Sequence, residues 1–326
     1  MRYIIYGAGG IGCAIGGKLF HQGHDVVLIG RGEQVPTIQR RGLTLKTPTG
    51  TLQLPIRAVA HPRELLFSAD DVVILTMKSQ DTELALRDLQ RTADNDIPVV
   101  CCQNGVDNER MAVRRFTRVY GMVVWMPTTY MEPGVVLHHA SSTGGILDAG
   151  CYPTGVDPLI TQVTADLTEC DFSAKADPTI MRWKYTKLLS NLRNAIQAIC
   201  GLDASGGEVA RATRQEALVC YEAAGIPWVA EDKMRERVQN EIHMGKIEGH
   251  ARAGGSTWQS LMRGLPGVEV DYLNGEIVLL GKLHGVPTPY NAVLQQVTNE
   301  MAKGGKRPGS ITPEQLQAMA NPSVGG

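Results

Sequence analysis

Lys187, Asn191 and Asn194 interrupt an otherwise apolar helical pattern that runs through Leu188, Leu189, Leu192 and Ile196. Residues four apart on a helix share a face, and residues seven apart fall on the same stripe. An ammonium and two amides on one face can bind a keto acid. By periodicity alone, a solvated helix face is the simpler account. Two further polar stretches follow apolar runs: Thr76-Met77-Lys78-Ser79-Gln80 and Gln103-Asn104-Gly105. Beyond the carboxyl ends of parallel strands such groups can touch a ligand. They can equally be ordinary turn chemistry, because Asn-Gly is a strong turn signal.

The chain opens MRYIIYGAGGIGCAIGGKLF. Gly7, Gly9 and Gly12 form Gly-x-Gly-x-x-Gly between a strand pattern and a helix pattern. The first glycine allows a tight turn, the second lets a pyrophosphate approach the backbone, and the third lets helix and strand pack closely. Gly10 and Ile11 complete the turn, where the helix start offers free N–H groups and partial positive charge to phosphates. The end of the next strand distinguishes cofactors. An acid there suits the ribose 2′-hydroxyl of NAD. This chain reads Leu28-Ile29-Gly30-Arg31 and has no acid before Glu33. A guanidinium suits a 2′-phosphate, which it binds through charge-assisted hydrogen bonds. NADPH is therefore expected over NADH.

These residues need elements to hold them. The chain has 326 residues, enough for two domains of roughly 150 each. Apolar runs at Tyr3–Tyr6, Asp25–Ile29, Asp71–Thr76, Pro98–Cys102 and Val119–Met126 alternate with helical patterns, as in a parallel sheet with crossovers. Thr51–Val59 reads as one extended stretch, and Glu132–His138 opens a hairpin. After Asp177-Pro178 helical periodicity dominates. Asp177 is a candidate cap and Gly201 a stop for a single helix over Ile180–Cys200. Further helices are expected over 208–224, 230–244, 268–284 and 290–303, with a loose tail from about 304. The expected fold is α/β: an N-terminal Rossmann-type doubly wound sheet over 1–177 and an all-helical domain over 178–326. With 32 basic and 33 acidic residues in mixed order, neither a nucleic-acid surface nor an acidic arm is expected. No apolar run nears the roughly 20 residues of a membrane helix. The start shows no secretory pattern, and seven cysteines without a C-x-x-C pair suit a reducing cytoplasm. No His or Cys spacing resembles a metal site.

These stretches together resemble the ketopantoate reductase (2-dehydropantoate 2-reductase) family. The resemblance rests on GAGGIG, Arg31, TMKSQDT, QNG, EPGVV, KLLSN, VEVDYLNGE from Val268 to Glu276, and GVPTP before the last helix, and it covers about residues 1–301. It implies NADPH-dependent reduction of a 2-keto acid to a 2-hydroxy acid. By the resemblance Lys187 is the catalytic lysine and Glu269 the active-site glutamate, which can also meet the cofactor. Asn191 and Ser256 bind substrate. Asn104 lies near both nicotinamide and substrate, and Lys78 is on the cofactor side. Two departures concern substrate recognition. The family's second asparagine falls four residues after the first, where this chain has Ala195, with Asn194 one residue early. Trp258 and an inserted Gly-Leu-Pro-Gly also alter the segment between Ser256 and Glu269. Two readings share this layout: another hydroxy-acid dehydrogenase, and an NADPH-sensing regulator without turnover. Retention of Lys187 and Glu269 argues against the second. A homodimer is open, since Leu279 and Leu280 suit a core or an interface equally.

Overall fold

Apolar strands with no polar face are stable only inside a sheet covered on both sides, and the runs of the first half form such a sheet. The computed structural model describes residues 1–250 and 254–321. Its strands are β1 (Arg2–Tyr6), β2 (Asp25–Ile29), β3 (Leu43–Thr47), β4 (Gly50–Leu54), β5 (Arg57–Val59), β6 (Asp71–Leu75), β7 (Val99–Cys101), β8 (Val119–Met122), β9 (Thr128–Glu132), β10 (Val135–His138) and β11 (Ala149–Cys151). The larger sheet runs β11-β8-β7-β6-β1-β2-β5, parallel throughout except for β11 against β8. In register, Tyr3 lies between Val26 and Val72. The order reverses at β1, with β2 and β5 to one side and β6, β7 and β8 to the other. A ligand crevice is expected at that switch point, beyond the carboxyl ends of β1 and β6.

The helices of the first half are α1 (Gly10–His21), α2 (Gln34–Arg41), α3 (Thr82–Gln90), α4 (Asn108–Ala112) and α5 (Pro158–Glu169). Ile15 and Leu19 of α1 pack with Tyr3, Ile5, Leu28 and Ile74 in one buried core. The expected stretch Thr51–Val59 is cut at Pro55. Its first half is β4, in a small sheet ordered β4-β3-β10-β9, and its second half is β5, at the edge of the large sheet. Proline cannot donate to a ladder and so divides the two. The hairpin expected from Glu132 is β9-β10, turning at Gly134 with φ 78°.

The remaining helices are α6 (Ile180–Asn191), α7 (Arg193–Cys200), α8 (Gly207–Ala223), α9 (Glu231–Glu241), α10 (Ser256–Met262), α11 (Asn274–His284), α12 (Pro289–Lys303) and α13 (Pro313–Ala320). The chain divides into two compact units, Met1–Lys184 with Ala230–Arg252, and Tyr185–Val229 with Ala253–Gly326. This differs from a division at 177/178. Asp177 does act at the start of α6, accepting from the Thr179 N–H at 2.6 Å and from Trp183 Nε1 at 2.9 Å. A helix start is not the end of a core, however: Ile180 packs with Val123, Ile146 and Met234 of the first unit. Three further expectations are corrected. The pattern over Ile180–Cys200 is two helices separated at Leu192. The pattern over 268–284 is a 3₁₀ turn (Glu269–Tyr272) followed by α11. The tail beyond 304 carries α13, whose Leu316 is buried in the second unit's core. Nor is the second half wholly helical, because Met244 bridges to Ala140. On α11, Leu280 enters the core and Leu279 stays at the surface.

Candidate active site

In the first unit the glycine turn joins β1 to α1. Gly7 has φ 121°, and a Cβ there would stand 2.3 Å from the Met77 backbone nitrogen. A Cβ on Gly12 would stand 2.3 Å from the Gly7 carbonyl oxygen and 2.5 Å from Thr76 Oγ1. Thr76 Oγ1 donates to that carbonyl at 2.8 Å, so the ends of β1, β6 and α1 lock together only without side chains. Gly9 is different. It caps α1 with φ −90°, and nothing lies within 4 Å of a Cβ built on it. The N–H groups of Gly10, Ile11 and Gly12 have no intrahelical acceptor, as at any helix start, and the first turn of α1 carries no acid. An open backbone cradle with unopposed donors fits a pyrophosphate.

Arg31 follows β2, and its Nη2 lies 2.5 Å from Asp81 Oδ2. Lys78, half-buried, precedes the 3₁₀ turn Ser79–Asp81. The two polar strand ends picked from sequence are tied to each other. Gln103 Nε2 donates to the Met77 carbonyl at 3.0 Å and to Thr82 Oγ1 at 2.7 Å. Asn108 Nδ2 donates to Ser79 Oγ and to the Asn104 carbonyl, both at 3.1 Å. Beneath them Lys184 forms a buried ion pair with Glu109 and donates to the carbonyls of Cys101 and Gln103, each at 3.1 Å. The turn bearing Asn104 is thus fixed through its backbone. The Asn104 side-chain amide makes no hydrogen bond among the described residues.

In the second unit α6 carries Lys187 and Asn191 one turn apart. Burial lowers the Lys187 ammonium to about 7. Asn191 is 5 % exposed, and its Oδ1 is buried with no hydrogen-bond partner. An unsatisfied buried amide oxygen costs free energy, so an oxygen held in this way fits a donor from a ligand. The break at Leu192 changes the consequence of the early asparagine. Asn194 lies in the first turn of α7, and a Cβ on Gly255 would stand 3.3 Å from its Oδ1 and 2.9 Å from Gln197 Oε1. Gln197 Oε1 accepts from the Gly255 N–H at 2.7 Å. Asn194 is therefore beside the residue that precedes Ser256.

Glu269 is buried in a segment anchored on both sides. Val268 and Val270 share a core with Ala195 and Ile196. Asp271 Oδ1 accepts from Gln295 at 2.8 Å and from Asn299 at 2.7 Å, both on α12. Asn274 donates to the Leu192 carbonyl at 3.4 Å, at the helix break, and to Asn291 Oδ1 at 3.1 Å. The inserted Gly-Leu-Pro-Gly is absorbed in the turn closing α10, where Gly264 has φ 67° and Leu265 N–H bonds the Ser260 carbonyl at 3.1 Å. Trp258 packs over Gly254, where a Cβ would meet its ring at 2.7 Å. Glu109 and Lys184 escaped the sequence reading. Their only signal was position: Glu109 follows the Asn-Gly turn, and Lys184 is three residues before Lys187.

No described helix is long and apolar enough to cross a membrane. Comparison with known proteins places this architecture. Two family models match, ketopantoate reductase PanE/ApbA over residues 3–153 and its C-terminal partner over 179–302. A 2-dehydropantoate 2-reductase of Pyrococcus horikoshii is 29 % identical over 304 residues, 90 % of this chain and 95 % of the relative. The crystal structure of a PanE/ApbA family ketopantoate reductase from Ralstonia eutropha superposes with TM-score 0.77 at 27 % identity, covering 94 % of this chain and 100 % of that one. A D-mandelate dehydrogenase solved with NADH and anilino(oxo)acetate shares the fold, with TM-score 0.79 at 23 % identity, covering 94 % and 99 %. With both family models spanning most of its length, the chain belongs to the ketopantoate reductase family and is an oxidoreductase.

Proposed function

We propose that this protein reduces a 2-keto acid to a 2-hydroxy acid with NADPH, and that its substrate is ketopantoate or a related bulkier keto acid. The observation that carries the reading is Lys187, an ammonium lowered to about 7, one helical turn from an amide oxygen without a partner at Asn191. Reduction of a ketone builds negative charge on its oxygen. Lys187 stabilises that charge and gives the proton, a role suited to a group that titrates near neutrality. Glu269 orients Lys187 or accepts from a substrate hydroxyl. Asn191, Asn194 and Ser256 hold the substrate, which raises the share of reactive geometry. Gly7, Gly9, Gly10, Ile11 and Gly12 cradle the dinucleotide pyrophosphate, Arg31 takes the 2′-phosphate, Lys78 lies on the cofactor side, and Asn104 lies near the nicotinamide and substrate. The bound cofactor supplies the hydride.

The test is NADPH oxidation by the purified protein with ketopantoate beside a panel of 2-keto acids. Turnover of at least one of them is expected. Lys187→Ala should cut it by about two to four orders of magnitude while NADPH still binds. Undiminished turnover in that variant would remove Lys187 from the mechanism.

A further inference from the structure

We infer that Asp81 sets the cofactor preference of this protein, narrowing its discrimination between NADPH and NADH. The inference rests on the reading above, in which Arg31 receives the 2′-phosphate. That guanidinium is not free to do so alone. Its Nη2 lies 2.5 Å from Asp81 Oδ2, with side-chain exposures of 66 % for Arg31 and 31 % for Asp81.

Among the described residues the Asp81 carboxylate has no partner besides Arg31. Asp81 stands at the N-cap of α3, yet its side chain makes no capping hydrogen bond there. The backbone holds the residue through its N–H, which donates to the Lys78 carbonyl at 2.9 Å. The Ser79–Asp81 turn is braced in turn by Asn108 on Ser79 Oγ. Asp81 is thus a fixed anion beside the cation meant for an anion.

Two opposite effects follow from one carboxylate. A 2′-phosphate brings close to two negative charges at neutral pH. It must either displace Asp81 from Arg31 or share the guanidinium with it at short range, and like charges there oppose binding. A ribose 2′-hydroxyl is a donor as well as an acceptor, and it gains an acceptor in Asp81. The carboxylate lowers affinity for NADPH and raises it for NADH. Both groups are partly exposed, so solvent and salt screen the effect to a modest size.

The experiment measures dissociation constants of NADPH and NADH, by fluorescence titration without substrate, for the wild-type protein, Asp81→Asn and Arg31→Ala. The wild type should hold the two cofactors within about tenfold of each other. Asp81→Asn should widen the preference for NADPH by roughly three- to tenfold, with less widening at high salt. Arg31→Ala should remove the preference. If Asp81→Asn leaves the ratio unchanged while Arg31→Ala collapses it, the role of Asp81 is overturned and that of Arg31 stands. If Arg31→Ala leaves the ratio unchanged, the 2′-phosphate reading fails and the inference falls with it. A wild-type preference for NADPH beyond a hundredfold also overturns it.

Discussion

In the proposed reaction Lys187 gives the proton, and its titration can be measured. Burial lowers the ammonium from 10.5 to about 7. A general acid must be protonated at the start of the step, so kcat for keto-acid reduction should fall about tenfold per pH unit above 7. Oxidation of the hydroxy acid should rise through the same window. A kcat profile flat from pH 6 to 9 would mean that another group gives the proton. The same shift has a stability sign. Below about 7 the lysine is charged whether folded or unfolded, and the folded state bears the full cost of burying it. Between 7 and 10.5 only the unfolded chain stays protonated, so stability rises with pH. Lys187→Met should therefore be more thermostable than the wild type below pH 7, and the gap should close as pH approaches 10.5. Thermal melts across pH check this. The sequence showed Lys187 and Asn191 as one helical face, because spacing alone decides that. It could not show that Asn191 is buried rather than solvated, because burial is set by segments distant in sequence, as where Val268 and Val270 pack with Ala195 and Ile196 and Asn274 bonds the Leu192 carbonyl.

Elements place these residues, and the glycine turn shows how separable the two duties of an element are. Gly9→Ala meets nothing, at a φ any residue adopts. It should leave the melting temperature unchanged while weakening NADPH binding by at least about tenfold, since the added methyl stands where the pyrophosphate needs backbone. Gly12→Ala drives a methyl into the Gly7 carbonyl and Thr76. It should destabilise the fold by about 1–3 kcal/mol, as overpacking does, with weaker cofactor binding as a consequence. Equal melting temperatures for the two variants would refute this division, and paired melts and titrations decide it. The turn was readable in advance because apolar run, glycine spacing and helix pattern follow in order. The small sheet was less readable. β3 and β4 are short and half-exposed, and only Pro55 marked where one extended stretch becomes strands of two sheets. The break at Leu192 left no proline or glycine signal at all. Asn274, seen in the sequence only as part of a motif, bonds the carbonyl exposed by that break.

At the scale of the whole molecule the path of the chain matters more than the count of its helices. It crosses between its two units at 184/185, at 229/230 and at 252/253. Helical periodicity named α9 correctly but could not say what it packs on, because an amphipathic stripe fits any apolar partner. The first unit's own residues answer that. Met234 joins Val123, Ile146 and Ile180 in a small core. Arg237 pairs with Asp148, donating to its Oδ1 at 3.0 Å, and also donates to Ser173 Oγ and to Glu241 Oε1, both at 3.0 Å. Its guanidinium stands 5.7 Å from the Trp183 ring centre. Asp148 is buried, so removing its partner leaves a buried charge short of compensation, a loss of about 3–5 kcal/mol. Arg237→Ala should therefore unfold at markedly lower denaturant and lose amide-exchange protection first along Glu231–Glu241, with Val123 and Ile146 following. Arg237→Lys, which keeps the charge without the fork, should recover part of the loss. If Arg237→Ala instead leaves exchange in α9 unchanged, the returning segment is held by Met234 and its apolar neighbours alone, and the ion pair is incidental to how the chain is divided.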